Sequence, residues 1–527
     1  PGDHYAATHF ALLGALLYEQ SKDPDIIVYI NRAIDFHLRT SPDEYKFKKW
    51  GYHWDFKNYS FLETYRIMQG YLTKEEKIKW KKGIYNYREN KSNHLTNWFA
   101  MRAYSALLRY KLFHNIFQLF RFFWRMFFIG RAKLPDGCFD DYPHISRPIQ
   151  YHVFVLALLH RIYLLKPIPK IKRWFLQGVE YFVHFIDPDG CFNYIGRGQE
   201  QIFGYGIAFY VLETAKSLDY NQAGFYQDLA DRMWEHLYQY QRKNIFPLVL
   251  NTRDDSEQFG WYDYHHLTVY EAFLGVWLAL AHRNTSNDQF ELNKSLQRTN
   301  QVKHFRSSGQ VVFSNDNYFV VFSRGTPEYI SEPGITPIHL WFKKIGWFFS
   351  CPGGPYSKFG KIKAANNIDK NFFAPIAKSK EQKQWYIPAF NKSRYVKSAA
   401  NSLIMIYNYG PFIVKRKVIF KSENILFRDE LDFQIKKVYE HFRFFNLPVI
   451  TDKFEVLVDK NKGLRVKTNK GVIQVSMQGT NVESLIFSKV DNIKTAKGLA
   501  EVILLEKRNF QAEPGQSKFI SFKISTG

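Results

Sequence analysis

The first half of the chain alternates apolar runs at helical spacing with short polar loops. In ATHFALLGALLYEQ, residues 7–20, apolar positions recur every three or four residues, which is typical of a helix with one buried face. Similar runs continue to about residue 285, separated by polar loops such as NKSNHLTN at residues 90–97. Residues 1–285 are therefore predicted to form helices joined in antiparallel pairs.

The junctions between polar loops and the following helices recur at a regular interval. They fall near Asn58, Asn97, Tyr151, Gly204 and His266, between 39 and 62 residues apart. Each interval accommodates two helices and their connections. Helical hairpins repeated at this period form either an open solenoid or a closed α/α toroid.

One pentapeptide, PDGCF, occurs twice, at Pro135–Phe139 and at Pro188–Phe192, 53 residues apart. Proline presets one backbone dihedral and glycine accepts a positive φ, so each copy predicts a tight turn. Each copy leads through a polar loop into an apolar helical run. The repeat therefore indicates a recurring supersecondary unit, with its polar loops at one end of the helices.

The pattern of apolar positions changes near residue 285. Residues 286–305 are mostly polar and are predicted to be a linker. From residue 306 to 527, short β-branched runs with period-two alternation, such as YFVVFSR and KFISFKIST, predict antiparallel strands. The predicted fold is α+β and multidomain, an N-terminal (α/α) toroid over residues 1–285 followed by a C-terminal antiparallel β-sandwich.

The charge of the chain points to an anionic partner. There are 73 lysines and arginines against 49 acidic residues, a formal charge of +24. Such a field attracts nucleic acid, anionic lipid or acidic polysaccharide. The basic residues are spread along the chain without a DNA-binding motif, so no nucleic-acid partner is predicted.

The segment FQLFRFFWRMFFIG, Phe117–Gly130, is the most membrane-like of the chain. Two arginines interrupt it and it is too short to span a bilayer. An outer helix packing its aromatic rings against a neighbour is preferred over an interfacial helix. No signal peptide is visible at the start of the sequence, although one could have been removed.

The three cysteines, Cys138, Cys191 and Cys351, show no zinc spacing and are too few for a disulfide framework. Cys138 and Cys191 occupy equivalent places in the PDGCF repeat, so a bridge is possible, but buried free thiols are preferred.

Several polar residues near the loop-to-helix junctions are candidates for chemistry. Arg197, flanked by glycines, is suited to hold a carboxylate with two parallel hydrogen bonds, and Gln199 and Glu200 add polar groups. An ion pair of Arg197 with Glu200 is the structural alternative. His94 and Asn97 lie one helical turn apart, and Asn97 is equally a candidate helix N-cap.

The first PDGCF unit adds three further candidates. His144 and Tyr151 flank its loop-to-helix junction, and a tyrosine in reach of a sugar acts as general acid or base. His152 is the rival of Tyr151, with a place inside the helix bundle as its structural alternative. Later in the chain, Trp261, Tyr264 and His265 belong to an aromatic cluster suited to stacking on sugar rings. Motifs for nucleotide binding, zinc proteolysis and the common hydrolase elbow are absent from the sequence.

This order of elements and motifs resembles the toroidal polysaccharide lyases, such as the chondroitin AC, hyaluronate, heparinase and oligo-alginate lyases. The resemblance rests on Asn97-Trp98, on Asp136-Gly137-Cys138-Phe139 with His144, on Tyr151 and on Arg197. It implies that Asn97 neutralises a uronate carboxylate, that His144 is the catalytic histidine and that Tyr151 is the acid and base. Arg197 would assist at the leaving-group or carboxylate side. Cysteine stands where that family has serine in Asp-Gly-Ser-Phe.

The implied reaction is β-elimination on a uronic-acid-containing polysaccharide, by a secreted or periplasmic enzyme without a cofactor or metal. The carboxylate must be neutralised by amide, histidine or arginine donors so that an enolate-like intermediate can form. Two alternatives remain. A toroidal glycoside hydrolase would need two carboxylates, drawn from Asp140 or Asp141, Glu200, and Asp254 or Asp255. A non-catalytic glycan-binding protein would use the same cleft.

Overall fold

The computed structural model describes residues 5–47, 53–86, 89, 94–141, 147–196, 198–250, 267–284, 300–324, 335–350, 373–388, 393–450, 455–459, 463–468, 470–477, 485–495 and 497–526. The chain divides into two compact units. Unit 1 comprises Pro1–Val183, Gln201–Leu248 and His266–Asn293, and unit 2 comprises His184–Glu200, Val249–His265 and Lys294–Gly527. The loop that contains the second PDGCF turn therefore groups with the strands.

Unit 1 is helical. In the part of the chain that the structure describes, its eleven α-helices are α1 (Ala6–Ser21), α2 (Pro24–Phe47), α3 (Trp54–Met68), α4 (Lys74–Tyr85), α5 (Thr96–Phe113), α6 (Ile116–Ala132), α7 (Ile149–Leu165), α8 (Pro169–Val183), α9 (Ile202–Leu218), α10 (Ala223–Tyr238) and α11 (Leu267–Asn284). None of the described helices is long and apolar enough to cross a membrane.

The odd-numbered helices contact one another in sequence. Helix α1 packs on α3, α3 on α5, α5 on α7, α7 on α9, α9 on α11, and α11 returns to α1. Each even-numbered helix packs on the helix that precedes it. Because consecutive helices of a hairpin are antiparallel, the odd-numbered helices run in one direction and their amino-terminal ends lie together.

Aromatic side chains fill the space between the odd-numbered helices. Tyr5, just before α1, stacks on Phe56 of α3 with ring centroids 4.6 Å apart. Phe56 stacks on Phe154 of α7 at 5.9 Å, and Phe154 meets Phe273 of α11 edge-on at 5.5 Å. These rings join four helices in one cluster, as expected for large apolar groups in a well-packed core.

Both PDGCF segments form the turn that the sequence predicts. In the first copy, the Leu134 N–H donates to Cys138 O at 2.8 Å and Gly137 has φ +94°. In the second copy, the Asp187 N–H donates to Cys191 O at 2.9 Å and Gly190 has φ +86°. A side chain on Gly137 would lie 2.4 Å from the carbonyl oxygen of Gln177, so glycine is required there. Cys138 and Cys191 are buried free thiols, as preferred.

Unit 2 is built from antiparallel strands. The described strands are β1 (Val302–Phe305), β2 (Gln310–Ser314), β3 (Tyr318–Arg324), β4 (Ile335–Phe342), β5 (Gly346–Ser350), β6 (Ile376–Ser379), β7 (Trp385–Tyr386), β8 (Ser393–Ala399), β9 (Ser402–Asn408), β10 (Phe412–Phe420), β11 (Asn424–Phe433), β12 (Lys437–Ile450), β13 (Glu455–Asp459), β14 (Gly463–Thr468), β15 (Gly471–Met477), β16 (Ile486–Thr495), β17 (Gly498–Ala512) and β18 (Ser517–Thr526). The α+β class predicted from the sequence is confirmed, and β1 begins at Val302, inside the segment expected to be a linker.

The strands form three sheets in the described residues, and two of them pack on the third. The sheet orders are β1-β2-β3-β4-β5, β13-β14-β15-β18-β11-β10-β9-β8 and β16-β17-β12-β6-β7. Phe420, at one end of β10, stacks on Phe313 of the first sheet at 4.4 Å. Phe412, at the other end of β10, contacts Phe442 of the third sheet at 5.1 Å. Both side chains lie on the buried face of β10, so the two five-stranded sheets cover one face of the eight-stranded sheet.

A buried ion pair lies inside this core. Arg416 and Asp429 are cross-strand partners on β10 and β11, with Nε–Oδ1 at 2.7 Å and Nη2–Oδ2 at 2.6 Å. Both side chains are buried. Arg416→Met would leave the Asp429 carboxylate buried without its partner, and we expect a loss of about 3–5 kcal/mol in the free energy of unfolding of unit 2. Urea unfolding, followed in the strand band of the circular dichroism spectrum, measures this loss.

Lys415→Met is the matched control, because Lys415 neighbours Arg416 and pairs with Glu430 in an exposed cross-strand contact at 3.5 Å. Exposed pairs contribute little, so its urea midpoint should stay close to that of the parent protein. Equal effects of the two substitutions would contradict the assignment of stability to the buried pair.

Buried histidines make unit 1 sensitive to acid. Burial lowers the pKa of His9, His37 and His160 to about 3 and the pKa of His152 to about 4. The unfolded chain takes up protons at these side chains near the ordinary pKa of about 6.5, whereas the folded unit does not. Their stabilisation is therefore complete above about pH 6.5 and is lost as the pH falls toward the folded pKa values.

Two carboxyls of unit 1 act in the opposite sense. Burial raises the pKa of Asp55 to about 7 and that of Asp140 to about 6, so the folded unit keeps protons that the unfolded chain releases above about pH 4. When the unit unfolds, the four histidines take up about four protons and the two carboxyls release about two, a net uptake of about two protons. The free energy of unfolding therefore falls by roughly 3 kcal/mol for each pH unit below about pH 6. Thermal unfolding in the helical band of the circular dichroism spectrum, at pH 7 and pH 5, tests this. Equal midpoints would contradict it.

Candidate active site in the helical unit

Polar and aromatic contacts join the amino-terminal ends of the odd-numbered helices. Gln150 Nε2, in the first turn of α7, donates to Oε1 of Gln201, the N-cap residue of α9, at 3.5 Å. Phe203 of α9 contacts Tyr270 of α11 with centroids 4.9 Å apart. Each of these ends carries the positive pole of a helix dipole, so this end of unit 1 favours an anionic group.

Asn97 lies in the first turn of α5 at this end of the unit. Its side chain is 1% exposed, and neither amide atom has a hydrogen-bond partner within the described part of the chain. A buried amide without partners costs stability, and native proteins rarely tolerate one without another role. Its Nδ2 can donate to, and its Oδ1 can accept from, a bound group.

Asn97 is not the N-cap residue of α5, which was its alternative role in the sequence analysis. Helix α5 begins at Thr96, and its N-cap residue is Leu95, with ψ 148° and no capping side chain. Thr96 Oγ1 donates to the carbonyl oxygen of Asp140 at 2.6 Å, which ties the start of α5 to the segment after the first PDGCF turn. The Asn97 amide is therefore not needed to start the helix.

Trp98 is held by aromatic and cationic neighbours rather than exposed for stacking. Its ring meets Phe56 edge-on at 5.6 Å, and the Arg102 guanidinium lies 6.0 Å from the ring centroid. Arg102 Nε in turn donates to Asp55 Oδ2 at 2.9 Å in a buried ion pair. Burial raises the Asp55 pKa to about 7, with Arg102 opposing the shift. The ion pair joins the first turn of α3 to the second turn of α5, one turn further along the helix from Asn97.

Tyr151 is the third residue of α7 and is partly exposed. Its backbone N–H donates to the Pro148 carbonyl at 3.1 Å, which fixes the first turn of α7. A phenol that is ordered by the helix start yet reachable by solvent is placed to exchange a proton with a bound molecule.

His152 is engaged by the protein backbone. Its Nδ1 accepts from the Phe139 N–H at 3.1 Å and its Nε2 faces the Gly178 carbonyl at 3.0 Å, so the ring is a neutral Nε2–H tautomer. Burial lowers its pKa to about 4. This histidine joins the first PDGCF turn, α7 and α8, so it has a structural place inside the helix bundle.

His94 and Asn97 do not share a helical turn, because His94 precedes the N-cap residue of α5. Its ring is exposed and stacks on Phe99 with centroids 6.1 Å apart. Asp140, also near this end, lies 3.6 Å from Arg147, and burial raises the Asp140 pKa to about 6 despite this arginine.

Gln199 and Glu200 belong to unit 2 and are both buried. Gln199 Nε2 donates to Tyr194 O at 3.1 Å. Glu200 Oε2 pairs with Lys497 Nζ at 2.6 Å, and Glu200 Oε1 accepts from Cys191 Sγ at 3.3 Å. Lys497 is a buried charged residue that the sequence does not mark as part of a site. Its partner lies 297 residues earlier, and no local pattern marks such a pair.

A second buried contact of unit 2, between His339 and Asp187, is likewise not predicted by the sequence. His339 Nε2 lies 2.8 Å from Asp187 Oδ2, His339 Nδ1 lies 2.8 Å from Ser350 Oγ, and the Tyr194 ring stacks on the imidazole at 4.2 Å. Asp187, Cys191 and His339 have the donor types of a transition-metal site, with ligand atoms within 4.8 Å of one another. Asp187 and Ser350 already engage both imidazole nitrogens of His339, so we assign these side chains a structural role.

Seven residues that the sequence marked as candidates lie outside the described residues: His144, Arg197, Asp254, Asp255, Trp261, Tyr264 and His265. Of the other candidates, the structure places His94, Asn97, Trp98, Tyr151 and His152 in unit 1 and Gln199 and Glu200 in unit 2.

Comparison with known proteins finds similarity in structure only. No protein-family model and no curated protein matches the chain. Among solved structures, a chondroitin AC lyase from Streptomyces coelicolor A3 matches with TM-score 0.53 and 11% identity, over 98% of this chain and 74% of that one. The chain has a polysaccharide-lyase-like fold.

Two further solved structures align at lower TM-scores. A heparan sulfate lyase HepC from Pedobacter heparinus aligns at 0.39 with 14% identity, over 96% of this chain and 78% of that one. A family 88 glycosyl hydrolase from Bacteroides vulgatus aligns at 0.40 with 12% identity, over 53% of this chain and 92% of that one.

Proposed function

We propose that this protein is a polysaccharide lyase that cleaves a uronic-acid-containing polysaccharide by β-elimination. The observation that carries the proposal is the Asn97 amide, buried and without a partner in the described residues, in the first turn of α5. A uronate carboxylate would accept the missing hydrogen bond from Nδ2. The long alignment with a chondroitin AC lyase is in keeping with this activity.

In this reaction a base removes the proton on C5 of the uronate and the bond between C4 and the glycosidic oxygen breaks. A proton is delivered to the leaving oxygen, and the products are an unsaturated uronate and a new chain end. Neutralising the carboxylate stabilises the enolate-like intermediate, which is the role we assign to Asn97. Tyr151, partly exposed at the start of α7, is our base and acid.

His152 is less suited to be the base, because backbone groups engage both of its ring nitrogens. We assign it to positioning α7. His144 and Arg197 remain candidates for the catalytic histidine and for an arginine at the carboxylate. His94, with Trp261, Tyr264 and His265, remains a candidate for substrate contacts. Trp98 and Gln199 are buried and engaged by protein groups, which makes them weaker candidates.

The charge and the architecture fit an anionic polymer substrate. The net charge of +24 accelerates the approach of a polyanion at low salt. We propose that unit 1 is an (α/α) toroid, because its odd-numbered helices contact one another in a closed circuit, and that unit 2 is a β-sandwich. A secreted or periplasmic location would bring the enzyme to such a polymer.

Hydrolysis is the second candidate, and one observation favours it. Asp140 lies near the start of α5, and its raised pKa of about 6 would suit a general acid. Glu200 is a weaker candidate, because its carboxylate is buried in an ion pair with Lys497.

Ultraviolet absorbance during incubation with glucuronans, glycosaminoglycans, alginate and bacterial exopolysaccharides tests the proposal. Rising absorbance from a C4–C5 double bond is the expected result on at least one polymer. New reducing ends without that absorbance would mean hydrolysis, and Asp140→Asn would then be the variant to assay. Binding without turnover of any polymer in the panel would support a non-catalytic glycan-binding protein instead.

A further inference from the structure

Helix α6 presents a stripe of large apolar side chains to solvent. Ile116, Phe117, Phe120, Phe123, Trp124 and Phe127 are all about half exposed or more, with Phe117 at 74% and Trp124 at 63%. The expectation that this helix packs its aromatic rings against a neighbour is therefore wrong for most of them. At about 100° per residue the six side chains share an arc of about 120°, along a helix about 25 Å long. We call this set the α6 stripe.

The opposite face of α6 is the one that packs on unit 1. Phe122, Met126 and Ile129 are buried, and Arg125 is buried in an ion pair with Glu89 at 2.6 Å. These buried contacts fix the orientation of α6, so the α6 stripe faces solvent. Contiguous exposed apolar patches of this kind mark interaction surfaces in soluble domains.

Positive charges surround the α6 stripe. The Arg131 guanidinium lies 5.7 Å from the Phe127 ring centroid and Lys166 Nζ lies 6.0 Å from the Phe123 ring centroid. Arg121 of α6 is exposed and lies at the edge of the α6 stripe opposite to Lys166. Between Asn90 and Pro135 the sequence holds eight lysines and arginines and no acidic residue.

The neighbouring helix α8 extends this basic rim. Its Trp174 ring packs on Gly130 of α6, so closely that a Cβ on that glycine would lie 2.5 Å from the ring. Lys170 Nζ lies 5.0 Å from the Trp174 ring centroid. These contacts place cationic groups directly beside the aromatic rings, so an anionic surface that meets the rings also meets positive charge.

We propose that the α6 stripe is a membrane-docking surface that inserts into the interface of a bilayer rich in anionic lipid. A Phe- and Trp-bearing helix face flanked by lysine and arginine is the arrangement that binds in the plane of such a bilayer. A second copy of this chain is a poorer occupant. A two-fold interface places the same patch on both sides, and the basic rims would then oppose each other.

Vesicle flotation with the whole chain tests this inference. The protein is mixed with vesicles of phosphatidylcholine containing 30% phosphatidylglycerol, or of phosphatidylcholine alone. We expect at least about tenfold stronger partition onto the anionic vesicles, weakened when NaCl is raised from 0.05 to 0.5 M. The triple variant Phe120→Ser, Trp124→Ser and Phe127→Ser should lose partition by at least about tenfold.

The matched control changes three exposed apolar residues elsewhere in unit 1, Tyr220→Ser, Tyr238→Ser and Ile245→Ser, and should partition like the parent protein. Quenching of tryptophan fluorescence by acyl-chain-brominated lipid should occur in the parent protein and be clearly weaker in Trp124→Phe. Equal partition of the stripe variant and the control would overturn the proposal. So would a dimer in light scattering that the stripe variant converts to monomers without any vesicle binding. Neither outcome depends on lyase activity.

Discussion

Tyr151→Phe is expected to lower kcat on the polymer identified by ultraviolet absorbance by at least about 100-fold. The phenol is the proposed base and acid, and phenylalanine keeps the ring while removing the group that exchanges the proton. KM should change little, since the ring contacts and the start of α7 are preserved. Initial rates of absorbance increase, over a range of polymer concentrations, separate kcat from KM.

Tyr163→Phe is the matched control, because Tyr163 lies on the same helix three turns further on and is also partly exposed. Its kcat should equal that of the parent protein. A Tyr151→Phe variant that retains more than about a tenth of the parent kcat would remove Tyr151 from the chemistry. His144, the other candidate of the first PDGCF unit, would then be the residue to test.

The helical half of the fold was predictable from local patterns. The predicted junctions near Asn97, Tyr151 and Gly204 lie within two residues of the observed helix starts at Thr96, Ile149 and Ile202. The PDGCF turns also behave as predicted, because proline and glycine act through their own backbone dihedrals. Such signals are carried by a few adjacent residues and do not depend on the rest of the chain.

The failures of the sequence prediction concern burial and pairing over long distances. The aromatic pattern of α6 looks the same whether the rings face a neighbour or solvent, so the exposure of Trp124 was not predictable. The pair of Glu200 and Lys497 joins residues 297 apart. Periodicity identifies the apolar face of a helix but does not determine which element covers that face.

Predictions about the candidate site depended on residue type and position and were less secure. Sequence spacing does not show whether Asn97 caps the helix or binds a ligand, because both roles favour asparagine at a helix start. The structure supplies the missing fact, that Leu95 is the N-cap residue. For His152, by contrast, the structure shows that backbone groups engage both ring nitrogens. The position of this histidine next to a candidate tyrosine does not predict those contacts.

Asn97→Leu is expected to lower kcat/KM by about 100- to 1000-fold while leaving the folded protein as stable as the parent or more stable. The two effects have one cause. In the free protein the amide has no partner among the described residues, so replacing it with an apolar side chain of similar size removes a buried polar group at no loss of hydrogen bonds. In the reaction the same amide is the proposed donor to the uronate carboxylate, and leucine cannot donate. Polymer kinetics and thermal unfolding of one preparation measure both quantities.

Asn446→Leu is the matched control, because Asn446 is also buried but donates from Nδ2 to the Ala374 carbonyl at 2.7 Å. It should lose about 1–3 kcal/mol of stability and keep the turnover of the folded enzyme. The two asparagines thus give opposite patterns if Asn97 is kept for its ligand and Asn446 for the fold. A large loss of stability in Asn97→Leu would show that the amide supports the folded protein, and the observation that carries the proposed function would then fail.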